Sequence, residues 1–420
     1  MKKKYIILSI ITLVLLITFV TSFNYFKTTN NYVEDSVNNK TKITKGISMN
    51  LEQTAGAGDY KTVTQSKWPT EGYKFNSELS RCENGSKISW DDTKKAVIVL
   101  GNLSDKCYVY FDKLLVLSEV CGDKTLKDCV IAQYTGTQGQ NNIYYHKSSL
   151  SNGAGDNSYR YAGASDQVNN FVCFGSTTNP CPIDNLYRII GVIDGKVKLI
   201  KYDYANRNLL GTTGEFSYHN SPPSKYQGAL TDIDIYHLNS SPSTNDWSVS
   251  QLNKTNLNTS FINNIGTTWA SKIITTTWKV GGGSWANIGT SVPKTAYQYE
   301  VGSSASSTTY DAKIGLMYVS DYYYAAGPSA WTLVGYNSSD STKDYRIAIT
   351  INWMYMGFDD WTLTPYTDDS EMMFGIHRDG NVTNSFVGMD SYGVRPVFNL
   401  DTSVTYVSGD GTKSLPIIIN

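Results

Sequence analysis

Six cysteines constrain the chemistry of this chain more than any other residue type. Such cysteines either close disulfides or bind a metal such as zinc. The spacings lack the short Cys-x2-Cys pattern of zinc sites and the four histidines are scattered, so disulfides are favoured over a metal cluster. We predict bonds between sequence neighbours: Cys82 with Cys107, Cys121 with Cys129, and Cys173 with Cys181.

A second group of reactive and adhesive side chains lies near the carboxyl terminus. Aromatic, charged and flexible apolar residues mix there within a short stretch, as they do on surfaces that recognise proteins or glycans. An ordinary solvated loop is the alternative interpretation. The candidate ligand-binding residues are Tyr366, Asp368, Asp369, Glu371, His377, Arg378, Asn381, Asn384, Phe386, Met389 and Asp390.

No catalytic set is recognisable in the sequence. It contains no serine, histidine and acid in a triad order, no phosphate-binding glycine loop and no glycosidase-like carboxylate pair. Carboxylates at Asp359-Asp360, Asp368-Asp369 and Asp379 have the ligand chemistry of calcium sites, although solvated surface acids are the favoured interpretation. We therefore expect a protein that is not an enzyme and that needs no cofactor.

The elements that hold the candidate residues are predicted from alternation and turn residues. Apolar and polar residues alternate over 372–376, Asp379-Gly380 is a tight-turn dipeptide, and extended character resumes at Val382. This pattern predicts a β-hairpin. Farther on, Arg395 lies in an apolar stretch, and we expect it to pair with an internal carboxylate or with carbonyl groups.

Upstream segments differ in pattern and divide the chain. Residues 47–113 show short extended runs between turn signals, which predicts a small all-β module. Residues 114–140 predict a short amphipathic helix, capped by Asp123, that acts as a linker. Residues 141–420 predict one larger unit, with a hairpin turn at Asp194-Gly195 and a helix over 247–265.

The amino-terminal segment indicates where the rest of the chain works. Lysines at positions 2–4 precede an uncharged run over 5–26, long enough to cross a hydrocarbon core of about 30 Å. Residues 1–26 are predicted to be a signal anchor that crosses the cell membrane once and leaves the bulk of the chain extracellular, above a stalk at 27–46. Cleavage as a signal peptide after residues 20–22 is the alternative.

Composition narrows the class of partner. The chain has 36 basic and 37 acidic residues, a net charge of -1, so no large electrostatic attraction to nucleic acid is expected. Its 31 tyrosines, with many Asn, Ser and Thr residues, give the amphipathic contact area of antibody paratopes. AT-rich coding is the alternative source of this bias. The expected partners are an extracellular protein or glycan and the membrane itself.

Residues 140–420 also carry a resemblance, in a series of ordered blocks. The matching blocks are 186–200, Trp247 with Leu252 and Leu257, 313–317, 361–365, 379–382 and 393–397. In these blocks the chain resembles a bacterial domain family of unknown function in the formylglycine-generating-enzyme-like branch of the C-type lectin fold. The anchor and the small module are similar to those of surface proteins from Firmicutes.

This resemblance implies a fold and a recognition face but not the oxygen chemistry of formylglycine-generating enzymes. Those enzymes use a cysteine pair with copper, and this chain has no cysteine after Cys181. The family's Trp-Leu-Arg-Ser-Pro block also departs from 361–365 here, which has no arginine. In some lectin-like folds the hairpin region is diversified among paralogues. The resemblance implies that residues 364–392 could be diversified in the same way.

The expected fold class is α+β, with an N-terminal transmembrane helix, a small all-β module and a larger C-type lectin-like α+β domain. The expected function is that of a non-catalytic, membrane-anchored binding or adhesion protein on the cell surface. An envelope-acting enzyme of undetermined class and a purely structural envelope protein are the alternatives.

Overall fold

The computed structural model describes residues 46–64, 67–69, 71–101 and 105–420. The chain divides between Leu115 and Val116 into two compact units, here called unit 1 and unit 2. This boundary lies inside residues 114–140, the segment that the sequence assigned to a helical linker. Each unit contains its own sheet and its own buried residues.

The predicted fold class, α+β with a C-type lectin-like domain, is wrong. The structure is mostly sheet, with 31% of residues in strands and 18% in helices. The longest α-helix among the described residues, Pro293–Glu300, has only eight residues. Asn, Ser, Thr and β-branched residues recur throughout the chain, and these types favour turns and strands over long helices.

The predicted transmembrane segment, residues 5–26, lies outside the described residues, as does nearly all of the predicted stalk. Within the described ranges, no helix combines the length and the apolar character that crossing a bilayer requires.

Unit 1 is a small β structure with an aromatic core. Its strands are β1 (Ile47–Glu52), β2 (Tyr60–Val63), β3 (Tyr73–Cys82), β4 (Lys87–Asp91), β5 (Ala96–Leu100) and β6 (Cys107–Lys113). Four of them form a sheet in the order β2, β1, β6, β3, and β4 pairs with β5 as a hairpin. The ring of Phe111 contacts those of Trp68, Phe75 and Trp90. The short runs predicted in this segment are thus strands around one core.

The predicted disulfides are confirmed. Cys82 is bonded to Cys107 in unit 1, and unit 2 contains the Cys121–Cys129 and Cys173–Cys181 bonds. The described part of the chain has no free cysteine. Each bond closes a local loop, as expected when neighbours in sequence pair.

The helices of unit 2 are short. The α-helices are α1 (Leu117–Cys121), α2 (Leu126–Ala132), α3 (Arg207–Leu210), α4 (Ile262–Asn264), α5 (Thr267–Ala270), α6 (Pro293–Glu300) and α7 (Val319–Ala325). A π-helix spans Leu252–Phe261 directly before α4. Single 3-10 turns occur at Gln140–Asn142, Ile183–Asn185, Pro328–Ala330, Ser341–Lys343, Tyr345–Ile347 and Ile349–Ile351.

The strands of unit 2 build one large sheet and smaller ribbons. They are β7 (Ile143–Tyr145), β8 (Tyr159–Tyr161), β9 (Phe171–Cys173), β10 (Leu186–Ile193), β11 (Lys196–Lys201), β12 (Phe216–Asn220), β13 (Ile233–Tyr236), β14 (Thr276–Lys279), β15 (Thr309–Ala312), β16 (Ile314–Gly315), β17 (Asp360–Pro365), β18 (Met372–Ile376), β19 (Val382–Phe386), β20 (Val397–Asn399), β21 (Tyr406–Ser408) and β22 (Ile417–Ile419). The large sheet has the order β16, β20, β11, β10, β9, β22, β21, and β8 also pairs with β10.

Strands β10 and β11 form the centre of this sheet. Both are buried over nearly their whole length, and the predicted Asp194-Gly195 turn joins them, with positive φ angles at both residues. Helix α7, in which every residue is buried, lies against this core, as the ion pair between Lys198 of β11 and Asp321 of α7 shows.

Candidate binding surface

The C-terminal candidate residues are carried by a three-stranded ribbon. Strand β18 lies in the middle and pairs antiparallel with β17 on one side and β19 on the other. The predicted hairpin is therefore present as β18 and β19, with Gly375 opposite Thr383. Residues 377–381 connect the two strands, and the predicted Asp379-Gly380 dipeptide lies in this turn.

The inner strand of the ribbon is anchored in the core of unit 2. All six residues of β17 are buried. Trp361 stacks on the ring of Tyr392 at 4.4 Å, and its Nε1 donates to the Tyr236 carbonyl at 2.8 Å. Because the core holds β17, the ribbon presents the connections at both of its ends in a fixed position.

The structure places ten of the eleven candidate residues in two groups at opposite ends of β18. The first group, here called the turn end, contains His377, Arg378 and Asn381. Asn384 lies between the ends, where its side-chain amide contacts the Met372 sulfur. The second group, here called the acidic end, contains Tyr366, Asp368, Asp369, Glu371, Phe386, Met389 and Asp390.

At the turn end, charged groups are neutralised within the protein. The Arg378 guanidinium pairs with Asp359, and the Arg378 backbone N–H donates to the same carboxylate at 2.8 Å. Lys225 donates to Asp379 at 2.5 Å, which lowers the pKa of that carboxyl. His377 lies between the two acids, with its Nδ1 3.5 Å from Asp379. These pairs leave the turn end with little uncompensated charge.

The remaining turn-end residue is unsuited to ligand contact. Asn381 is only 9% exposed, and its side-chain amide donates to the Val382 carbonyl at 3.3 Å. The Tyr355 hydroxyl donates to the Arg378 carbonyl at 2.6 Å and fixes the turn from below. The turn end is therefore a braced structural corner.

Backbone hydrogen bonds join the segments of the acidic end. The Asn245 side-chain amide donates to three carbonyls, those of Tyr366, Asp369 and Met372, at 3.0, 3.2 and 2.7 Å. The Val387 N–H donates to the Glu371 carbonyl at 2.9 Å. The connection before β18 and the segment after β19 thus form one continuous surface.

The side chains of the acidic end combine charge with exposed apolar area. Met389 is 69% exposed, and Asp368 and Glu371 are exposed as well. Tyr366 packs edge-on against Phe374 at 5.4 Å, and its pKa is raised by partial burial and by Asp368. An exposed, flexible thioether such as that of Met389 adapts to apolar partners.

Four carboxylates at the acidic end lack basic partners. In the part of the chain that the structure describes, no Lys, Arg or His forms an ion pair with Asp368, Asp369, Glu371 or Asp390. Several accept local backbone bonds instead: Asp390 accepts from the Phe386 N–H at 2.8 Å and Asp369 from the Glu371 N–H at 2.9 Å. The acidic end therefore carries uncompensated negative charge.

Metal chemistry has one geometric candidate among the described residues, and it lies in unit 1. Cys82, Asp105 and Cys107 bring three potential ligand atoms together, but both sulfurs are consumed by their disulfide. The Asp105 carboxylate accepts from the Asn84 and Ser86 N–H groups at 2.8 and 3.0 Å. These groups are already occupied, so they offer no zinc site of the thiolate type.

Several residues that shape the surface carried no local signal in the sequence. Lys225 and Asn245 are separated from their ribbon partners by more than a hundred positions, so only the fold reveals the contacts. The expectation for Arg395 is met, since its guanidinium forms a buried ion pair with Asp360 at 2.5 Å. The interpretation of Asp359 and Asp360 as solvated surface acids is wrong, because both residues are buried.

Comparison with family models, with curated proteins and with solved structures found no match to this chain.

Proposed function

We propose that this chain is an exported, non-catalytic binding protein. The acidic end of its ribbon recognises a protein segment in which basic and apolar residues lie side by side. The proposal rests on the exposed Met389 side chain, which precedes Asp390 in sequence and lies at the same end of the ribbon as carboxylates without basic partners in the described residues. Interfaces combine an apolar contact with complementary charge in this way. The proposal narrows the expected protein or glycan partner to a protein.

The contrast between the ribbon's ends supports this choice. At the turn end, Arg378 and Asp379 are held by partners within the chain. At the acidic end, no basic residue of the described ranges pairs with the carboxylates, so a partner molecule can supply their counter-charge. Negative surface potential of this kind raises the association rate of cationic ligands and makes it sensitive to salt.

Export is the proposed setting of this activity. Three disulfides support an oxidising compartment, because cytosolic thiols are usually kept reduced. Attachment to the cell membrane by residues 1–26 is proposed from the sequence alone. Fractionation of producing cells tests it: the protein should remain with membranes after a high-salt wash, and release by that wash would contradict attachment.

Peptide binding tests the recognition proposal directly. A fluorescent peptide that alternates lysine and leucine should bind the full chain, and a glutamate–leucine peptide of equal length should not. The double variant Asp368→Asn, Glu371→Gln should weaken lysine–leucine binding about tenfold, equivalent to about 1.4 kcal/mol. Raising the salt concentration should weaken it further.

A matched variant at the opposite end serves as control. Asp379→Asn removes one carboxylate from the same ribbon, but one that is already paired with Lys225. Its peptide affinity should equal that of the wild type. Equal losses in both variants, or equal binding of both peptides, would contradict recognition at the acidic end.

A further inference from the structure

The interior of unit 2 contains a lysine and an aspartate in direct contact. Lys198 of β11 and Asp321 of α7 are 5% and 3% exposed, and Lys198 Nζ lies 2.5 Å from Asp321 Oδ2. The two residues are 123 positions apart in sequence. The folded chain therefore holds an amine against a carboxyl group in a site closed to solvent.

Aromatic rings wall this site. Lys198 Nζ lies 4.7 Å from the centre of the Tyr318 ring and 5.6 Å from that of Trp278. Burial lowers the pKa of the Lys198 amine, although the charge of Asp321 opposes this effect. A larger share of the Lys198 amine is therefore uncharged, and the uncharged form is the nucleophile.

Arg160 engages the other oxygen of the aspartate. Its Nη1 lies 3.3 Å from Asp321 Oδ1, and its Nη2 lies 2.8 Å from Asp156, which balances its charge. A buried cation at this position stabilises negative charge that develops on Oδ1 when a nucleophile attacks the carboxyl carbon. The site thus contains a nucleophile, an electrophile and an oxyanion partner.

A fourth group, Glu300, can carry a proton. Its carboxylate accepts from the Val319 and Ser320 N–H groups at 2.9 and 2.8 Å, and Asp321 accepts from the Tyr318 N–H at 3.0 Å. The two carboxyls therefore occupy consecutive N–H groups of one helix turn. Burial raises the pKa of Glu300 to about 7, which suits proton transfer near neutral pH.

We propose that Lys198 and Asp321 are the reacting pair of an intramolecular isopeptide bond that forms after folding. Lys198 first passes one proton to Oδ2 of Asp321 within the ion pair, which leaves a neutral amine and a carboxylic acid. Nζ then attacks Cγ of Asp321, and the Cγ–Nζ bond forms. Glu300 accepts a second proton from the attacking nitrogen and returns it to Oδ2, so that the Cγ–Oδ2 bond breaks and water leaves. The reaction converts one amine and one carboxyl group into one amide and one water, and it requires no oxidant or other reactant.

The contact between the two groups favours amide formation, because free amines and carboxylates in water lack this proximity. Groups held in reactive contact reach effective concentrations of about 10⁵ M or more. The bond also replaces two buried charges by a neutral amide, which removes the desolvation cost of an interior ion pair. It would fasten the central sheet to α7 covalently.

Peptide mass spectrometry of the full-length protein, purified under conditions that keep its disulfides, tests the proposal. After reduction and digestion, the wild type should yield a branched peptide that contains both residues, lighter than the sum of its parts by one water. Lys198→Arg should yield two separate linear peptides. The Lys201→Arg control changes another buried lysine of the same strand and should keep the branched peptide.

The wild-type result decides the bond without depending on how well any variant folds. Linear peptides with intact Lys198 and Asp321 in the wild type would overturn the proposal. Glu300→Gln tests the proton carrier: linear peptides are expected, and a fully branched product in this variant would overturn the role of Glu300.

Discussion

At the scale of residues, the two kinds of ion pair in unit 2 should differ sharply in energetic weight. Arg395 and Asp360 are both buried, whereas Lys225 and Asp379 are largely exposed. Removing one partner of a buried pair leaves an uncompensated charge and costs about 3–5 kcal/mol. Removing an exposed partner costs about 1 kcal/mol or less, because water replaces it.

Urea unfolding measures this difference. Arg395→Met should lower the unfolding free energy by at least about 3 kcal/mol, and Lys225→Met by about 1 kcal/mol or less. Equal effects of the two substitutions would show that Asp360 finds another partner or reaches solvent when its arginine is lost.

A buried histidine provides a pH-dependent prediction. Burial and the nearby Arg160 lower the pKa of His146 to about 3, while the unfolded chain takes up this proton near pH 6.5. The folded pKa is depressed, so the stability is fully present above pH 6.5 and is lost as the pH falls toward 3. The nearby Asp156 opposes the shift without reversing it.

The expected slope is about 1.4 kcal/mol per pH unit for this one group. Urea unfolding between pH 4 and 7 should therefore show a steeper loss in the wild type than in His146→Asn, whose side-chain oxygen can still accept from the Ala154 N–H. Parallel curves for the two proteins would mean that the imidazole is protonated in the folded state.

The sequence predicts the environment of an individual residue only where its immediate neighbours carry a signal. The apolar context of Arg395 was sufficient to predict an internal partner, and the spacing of the cysteines was sufficient to predict their bonds. The pairing of Lys198 with Asp321 spans 123 positions and has no local signature, so only the fold reveals it. Burial of Asn381 was missed for the same reason.

At the scale of elements, the turn that closes the β18–β19 hairpin should be sensitive to any side chain at Gly380. Its φ is 92°, and an added Cβ would lie 2.2 Å from Ile349 Cγ2. Gly195, in the β10–β11 turn, also has positive φ but has open space around it. Gly380→Ala should therefore cost more stability than Gly195→Ala, by about 1 kcal/mol or more.

Denaturant midpoints of the two variants measure this prediction. The backbone strain is common to both substitutions, so the difference between them isolates the clash at the hairpin turn. A cost at position 195 equal to or above that at position 380 would contradict the tight packing of the turn.

Strands and hairpins were predictable because their signals are local. Alternation and the dipeptides Asp194-Gly195 and Asp379-Gly380 marked two hairpins that the structure contains. The helix expected over 247–265 was less accurate, since helical structure begins near Gln251 and consists mainly of a π-helix. The linker helix was also inexact: Gly122 separates α1 from α2, and Thr125 rather than Asp123 caps α2. Low intrinsic helix propensity leaves such segments to tertiary packing.

At the scale of the whole molecule, the two units should respond differently to loss of a disulfide. The Cys82–Cys107 bond closes the longer loop and lies in the smaller unit, which has less core to compensate. Replacing both cysteines by serine should destabilise unit 1 by about 3.5 kcal/mol on the chain-entropy model. Unit 2 should keep its stability.

Tryptophan fluorescence and hydrogen exchange separate the units in this experiment. Backbone amides of β1 and β6 should exchange faster in the double variant, while those of β10 and β11 should be unchanged. Simultaneous loss of protection in both units would show that they unfold as one body and not as two.

The fold class was the largest failure of sequence-based inference. Ordered blocks such as 361–365 and 379–382 suggested a lectin-like α+β domain, but they mark strands and turns that many sheet-rich arrangements share. How such strands assemble depends on long-range pairing, such as β11 with β20, and no short block specifies it. The same limit applies to the ribbon. Its two ends differ in net charge because Lys225 and Asp359 neutralise the turn end, and the sequence does not show these contacts.

Site-specific photocrosslinking tests the central claim, recognition at the acidic end, most directly. A photoreactive amino acid would replace Met389 in the full chain, and, as control, Ile347, which is 51% exposed. In the cells that naturally produce the protein, irradiation should join position 389 to one protein through a segment rich in basic residues, and position 347 should give no such adduct. The absence of an adduct at position 389, or the same adducts at both positions, would contradict the claim.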